Sequence, residues 1–161
     1  IEENLRKIRP NISERELEEI IEITGLGQIL EDFPDGLSTE INQFGVPLSQ
    51  GNRITLAIAR SLVSQPRILM IDEAISSLDK SAQIGFLKNI DRISAGKTLL
   101  VVTHEMRLIQ SFDQIAVLDE GAVVGFGKHE SLLENCDTYK MLWSMDQQLS
   151  NPDTISSDKP A

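Results

Sequence analysis

The sequence predicts an α/β chain: a helical N-terminal part over residues 1–64, then part of a parallel-sheet core over residues 65–149. Three observations predict it. Before position 64, apolar residues recur at helical spacing behind helix-start signals. Two short continuous apolar runs, Ile68-Leu69-Met70-Ile71 and Leu99-Leu100-Val101-Val102, read as strands buried on both faces. The stretch 80–94 between them has helical spacing, and strand, helix, strand over this length is a βαβ unit with parallel strands.

Ser13-Glu14-Arg15-Glu16 is a capping box: the Ser13 hydroxyl accepts from the Glu16 amide, and Glu16 reaches back. Ile12 and Leu17 on either side suit a hydrophobic staple. Leu17, Ile20 and Ile21 form a narrow apolar stripe, and Gly25 can end the helix in a left-handed conformation. Glu14, Glu16, Glu18, Glu19 and Glu22 give that helix an acidic, solvated face. Phe33-Pro34-Asp35-Gly36 is a turn. A second helix is expected from near Ser49 to about Ser64, with Ile54, Ala57, Ile58 and Leu62 on one face. The first strand ends in Asp72-Glu73 and the second in Thr103-His104. The helix between them carries Ile84, Leu87, Lys88 and Ile90 or Asp91 at turn spacing. Ile115–Leu118 and Ala122–Val124 flank Asp119-Glu120-Gly121 as a hairpin. Helical segments follow to about Leu149, and the tail 150–161, rich in Ser, Asp and Pro, is expected to be disordered.

Bulk properties narrow the function. At 161 residues and 40% hydrophobic the chain can bury a core. Its formal net charge of −10 argues against DNA or an anionic membrane surface as a direct partner. The single thiol, Cys136, makes no internal disulfide, which favours a reducing compartment. No apolar run approaches the about 20 residues that span a bilayer, and no signal peptide is visible. Asn11-Ile12-Ser13 matches a glycosylation sequon without other support. The opening Ile1 reads as if cut from something longer.

The chemistry gathers at strand ends. In open parallel sheets, ligands bind outside the carboxyl ends of the strands. A carboxylate after an apolar strand, like Asp72, is the usual holder of Mg²⁺ in P-loop nucleotidases. Glu73 could orient or deprotonate an attacking water, and His104 could hydrogen-bond a terminal phosphate. An Asp-Glu pair also starts many helices, and a lone histidine is common anywhere; the conjunction carries the reading. Leu48-Ser49-Gln50-Gly51-Asn52 opens the second helix, with Ser49 at the cap and Gly51 permitting close approach to the free amides, an anion site. Gly96-Lys97-Thr98 ends like a phosphate-binding loop, but the earlier glycine would fall at Asp91, and the tripeptide leads into a strand rather than a helix, so it reads as a turn.

These motifs, in this order, resemble the ATP-binding cassette (ABC) family of P-loop ATPases. Leu48–Asn52 resembles the Leu-Ser-Gly-Gly-Gln signature, and Arg53–Leu62 the helix after it. Ile68–Glu73 resembles Walker B with its catalytic glutamate, Ala74–Asp79 the D-loop, and Val102-Thr103-His104 the H-loop. Asn4-Leu5, Phe33–Gly36 with Thr39-Glu40, and Gly127–Leu133 with Tyr139 and Leu142 are similar to the exporter branch. The resemblance implies a fragment of that fold, with the signature in a helical subdomain and a catalytic core behind it. It implies ATP and Mg²⁺. Ser49, Gln50, Gly51, Asn52 and Asp79 would serve the nucleotide across a dimer interface, Asp72 the metal, Glu73 the base and His104 the γ-phosphate. The partners implied are a second nucleotide-binding domain and the transmembrane domain of an exporter, which would put the chain at the cytoplasmic face of a membrane.

The sequence departs from that pattern at Gln50 and Asn52, and Asn42-Gln43-Phe44-Gly45 lacks the charges expected before the signature. Walker A, the adenine-stacking loop and the Q-loop are not in this sequence, so the chain alone is expected neither to bind ATP tightly nor to turn it over. One rival reading is a non-catalytic partner or decayed fragment. Another is a chromosome-maintenance or DNA-repair ATPase, which the acidic charge and lack of heptads oppose. The last, an unrelated carboxylate-histidine enzyme, would need a nucleophile elbow that is not present.

Overall fold

The computed structural model describes residues 1–41 and 47–150. Contacts divide the chain into two compact units, Ile1–Thr103 and His104–Ala161. The Asn42-Gln43-Phe44-Gly45 segment lies outside the described residues, as does the expected tail beyond Ser150.

In the first unit, helices α1 (Glu2–Arg6), α2 (Glu14–Thr24), α3 (Leu26–Leu30) and α4 (Gln50–Val63) precede strand β1 (Ile68–Asp72). The capping box forms as expected: Ser13 Oγ accepts from the Glu16 amide and the Glu16 carboxylate accepts from the Ser13 amide, both at 3.3 Å. Gly25 closes α2 at φ 75°, a conformation costly for any residue with a Cβ. Ile12 and Leu17 are both buried in one cluster with Leu5, Leu26, Leu48, Leu56, Ala59 and Val63. Each fully buried Leu or Val contributes about 1.5–3 kcal/mol relative to leaving it exposed.

Helix α4 starts and stops where expected, but its buried arc differs. Ile58 and Leu62 are buried, Ala57 is exposed, and Thr55, Leu56, Ala59 and Val63 complete the inner face. The reason is width: α4 meets α1, α2, α3 and the turn after β1, so a single narrow stripe does not describe it.

The βαβ unit forms, with two corrections. Strand β1 pairs in parallel with β2 (Thr98–Val102), Asp72 opposite Val102. Neither strand is buried on both faces. Leu69 and Ile71 are 5% and 4% exposed, whereas Ile68 and Met70 are 64% and 63% exposed, and Leu100 and Val102 share the open face. Among the described residues the sheet holds these two strands alone, so one face is covered and the other is not. The helix between them is broken at Asn89 into α5 (Lys80–Lys88) and α6 (Ile90–Ser94), because Asn89 leaves helical geometry at ψ 6° and returns its side-chain amide to the Gly85 carbonyl. The Gly96 turn reads as expected: Gly96 has φ 70°, and the Lys97 ammonium donates to the Ile93 and Ala95 carbonyls at the end of α6.

In the second unit, α7 (Met106–Ile109) precedes the antiparallel hairpin β3 (Ile115–Asp119) and β4 (Ala122–Gly127), then α8 (His129–Asn135) and α9 (Asp137–Ser150). The two hairpin residues, Glu120 and Gly121, both have positive φ, 45° and 80°. That is the primed turn whose twist suits a hairpin. Met106, Ile115, Val117, Leu132, Cys136 and Tyr139 form its core. Among the described residues no helix is long and apolar enough to cross a membrane.

Candidate functional site

Two loops of the first unit meet. One is the start of α4. Ser49 caps it with extended backbone, and its Oγ accepts from the Asn52 amide at 3.1 Å. That hydroxyl can still donate its own proton outward. The first turn of α4 carries no acidic side chain to oppose an anion at its positive dipole end, while the Asn52 amide is already taken by Ser49. Gly51 follows. A methyl group on it would lie 3.8 Å from the Ser77 carbonyl oxygen and 3.9 Å from Ser49 Oγ, ordinary contact distances. The chain's own packing therefore does not require glycine there.

The other loop leaves β1. Asp72 is the last strand residue, and Glu73 sits at φ 51°, a left-handed conformation that costs a non-glycine residue about 1 kcal/mol or more. Hydrogen bonds hold it there. The Glu73 amide donates to the Val102 carbonyl at 2.9 Å, carrying the parallel pairing one residue past the strand. The Ser76 hydroxyl donates to the Glu73 carbonyl at 2.6 Å and lies 3.4 Å from its carboxylate. The loop then makes a single 3-10 turn, Ile75–Ser77. Gln83 Nε2 pins that turn from α5 by donating to the Ile75 carbonyl at 3.2 Å. Asp79 caps α5, accepting from the Ala82 amide at 2.9 Å, which leaves its second carboxylate oxygen outside the cap.

The two loops touch through Gln50, whose Nε2 lies 3.4 Å from Ser77 Oγ. The structure thus brings Ser49, Gln50, Gly51 and Asn52 beside the turn that joins Glu73 to Asp79. His104 is the first residue of the second unit, two residues along the chain from Val102. Among the described residues no group of three or more His, Cys, Asp or Glu side chains could hold a metal by itself. The single Asp72 carboxylate still fits Mg²⁺, which takes one or two protein carboxylates and fills its shell with water and substrate phosphates.

Sequence reasoning passed over Ser76 and Ser77 as individual residues. Ser76 had a local signal, a hydroxyl three residues after a strand-end acid. Ser77 had none, because its contact with Gln50 spans 27 residues of chain.

No family model matches the chain. Curated relatives do. It is 38% identical over 131 residues to an export ATP-binding/permease protein of Rickettsia bellii, covering 81% of this chain and 23% of that protein. It is 35% identical over 148 residues to ABC transporter B family member 4 of Dictyostelium discoideum, covering 92% of this chain and 19% of that protein. It is 31% identical over 158 residues to ATP-binding cassette sub-family B member 6 of Mesocricetus auratus, covering 98% and 18%. The chain therefore spans about a fifth of the length of the curated relatives it matches. Among solved structures, a bacterial Atm1-family ABC exporter with ATP bound superposes with a TM-score of 0.81 at 29% identity, over 91% of this chain and 26% of that one.

Proposed function

The chain belongs to the ATP-binding cassette exporter family, and from that premise we propose that it supplies half of an ATP-hydrolysing site which powers transport across a membrane. The observation that carries this reading is the packing of the α4 start against the turn between Glu73 and Asp79. One compact surface then presents an anion-binding helix start beside a loop that begins at a strand-end carboxylate pair.

Each residue has a part in that reading. The Ser49 hydroxyl and the first amides of α4, with Gly51 allowing close approach, bind the γ-phosphate of ATP held by a second nucleotide-binding domain. Gln50 and Asn52 shape that turn, and Asp79 reaches across the same interface. Glu73 accepts a proton from the attacking water, and its strained, hydrogen-bonded backbone fixes where its carboxylate starts. His104 donates a hydrogen bond to the γ-phosphate. Asp72 would hold Mg²⁺, which when bound would supply charge neutralisation to the phosphate oxygens. A transmembrane domain converts the closing and opening of the paired domains into transport at the cytoplasmic face. Residues 1–64 act as the signature-bearing part and 65–149 as the catalytic part.

The test is Glu73→Gln in an ATPase assembly containing this chain. Loss of a general base costs about 10²–10⁴-fold in turnover, while bound ATP is retained. Gly51→Ala is the companion variant: it leaves folding intact, since the packing has room for the methyl, and lowers turnover by crowding the phosphate. One observation favours a second reading. Gln50 and Asn52 depart from the signature, as in a partner that keeps the interface without catalysing. In that case Glu73→Gln leaves turnover of the assembly unchanged.

A further inference from the structure

We propose that Gln50 is a positioning residue: its side chain tethers the start of α4 to Ser77, so that the phosphate-facing turn and the loop from Glu73 to Asp79 move as one body. The role assigned to those loops rests on the ATPase reading; the tether itself does not.

The contacts form a continuous path. Glu73 is tied to the 75–77 turn by Ser76, whose hydroxyl donates to the Glu73 carbonyl at 2.6 Å. The turn is closed by the Ser77 amide donating to Ala74 and the Leu78 amide donating to Ile75, at 3.2 and 3.0 Å. Ser77 Oγ then receives Gln50 Nε2 at 3.4 Å. Behind that bond, the backbone at Gly51 passes the Ser77 carbonyl closely enough for ordinary contact with an added methyl. Gln50 is the first residue of α4, so a pull on its side chain acts on the capped turn directly. The family pattern that the sequence resembles has glycine at this position, and a glycine could make no such bond. The substitution thus adds a side-chain link between two loops that already pack together at Gly51 and Ser77.

The bond is long and solvent-exposed, so its contribution is at the small end for hydrogen bonds. Amide hydrogen exchange in the 161-residue chain reads it without needing nucleotide. Gln50→Met keeps length and removes the donor; Ser77→Ala removes the partner; Gln50→Glu keeps the link with Ser77 donating instead. In Gln50→Met and in Ser77→Ala, the Asn52, Arg53, Ser77 and Leu78 amides are expected to exchange about two- to threefold faster. The double variant should be no faster than either single one, Gln50→Glu should stay near the parent, and α2 amides should not change. Multiplying effects in the double variant, or unchanged exchange at Ser77 and Leu78 in Gln50→Met, would overturn the tether. In the ATPase assembly, Gln50→Met should lower kcat about two- to threefold with KM for ATP unchanged. If Glu73→Gln abolishes turnover and Gln50→Met leaves kcat untouched, the positioning role is wrong although the ATPase reading stands. If Glu73→Gln changes nothing, the ATPase reading fails, and the exchange result still decides the tether.

Discussion

Gly125 on β4 has no room for a methyl group. A Cβ there would stand 2.7 Å from Cys136 Sγ, 3.1 Å from Leu132 Cδ2 and 3.3 Å from Cys136 Cβ. Cys136 is short and buried, so its sulfur cannot swing clear at low cost. Gly125→Ala should therefore destabilise the chain by about 1–3 kcal/mol, the usual cost of overpacking, as read by chemical denaturation. Cys136→Ala added to it should recover most of the loss, because deleting the sulfur removes the 2.7 Å clash. A cap or turn defect would not be rescued this way. The contrast with Ser13 shows what is legible at this scale. The capping box at Ser13–Glu16 closes within one helical turn, so residue types and spacing reveal it. Gly125 meets Leu132 and Cys136, seven and eleven positions further on, Ser77 meets Gln50 across 27 residues, and Glu73 adopts a left-handed backbone that its side chain does not favour. None of these writes a local pattern. Asp72, Glu73 and Ser49 were nameable because each sits at an element's end, where chemistry and position coincide.

Between elements, α8 and α9 of the second unit are clamped by one aromatic cluster. The Tyr139 hydroxyl and His129 Nδ1 are 2.8 Å apart, and the His129 ring meets the Trp143 ring edge-on at 4.7 Å. Tyr139 is fully buried, and burial, aided by the charge of Glu130, pushes its phenol above its ordinary value of 10.0. A raised folded pKa means that stability is intact below about pH 10 and is lost as pH rises through the folded value. Alkaline titration should then show late tyrosinate absorbance coupled to unfolding of this unit, with no other tyrosine to confuse it. Tyr139→Phe should abolish that alkaline dependence while costing about 1 kcal/mol at neutral pH through the lost hydrogen bond. The longer elements were legible here and in the first unit, since helical spacing, the Asp119–Gly121 turn and the two apolar runs each announce themselves, whereas the short helices α1, α3 and α7 were not marked individually. Element surroundings were not. A run such as Ile68–Ile71 is the same string whether one face or two are covered, and only the number of neighbouring strands decides. The break at Asn89 was hidden because the apolar spacing continues across it.

At the scale of the whole molecule, the order of motifs was legible, whereas the division at Thr103–His104 depends on contacts that no linear pattern records. Two predictions belong here. Because this sequence has no phosphate-binding loop with its lysine, the isolated chain should show no micromolar MgATP binding by isothermal titration; a clear micromolar isotherm would refute that. The other concerns solubility. The first unit leaves Ile68, Met70, Leu100 and Val102 open on one sheet face, and the second leaves Leu118, Val123, Val124 and Phe126 open on its hairpin. The unit faces lie on short sheets with unpaired edges among the described residues, a combination that invites association between copies. Removing apolar character from those faces should therefore reduce association without unfolding the chain, because the side chains concerned contribute little burial. Met70→Lys with Phe126→Lys, at positions 63% and 69% exposed, should shift the isolated chain toward monomer in light scattering at unchanged helix content. Ile71→Lys, at a 4% exposed neighbour on the opposite face, should instead unfold the first unit by burying an unpaired ammonium. If Met70→Lys unfolded the chain as readily as Ile71→Lys, the one-sided covering of the sheet would be wrong.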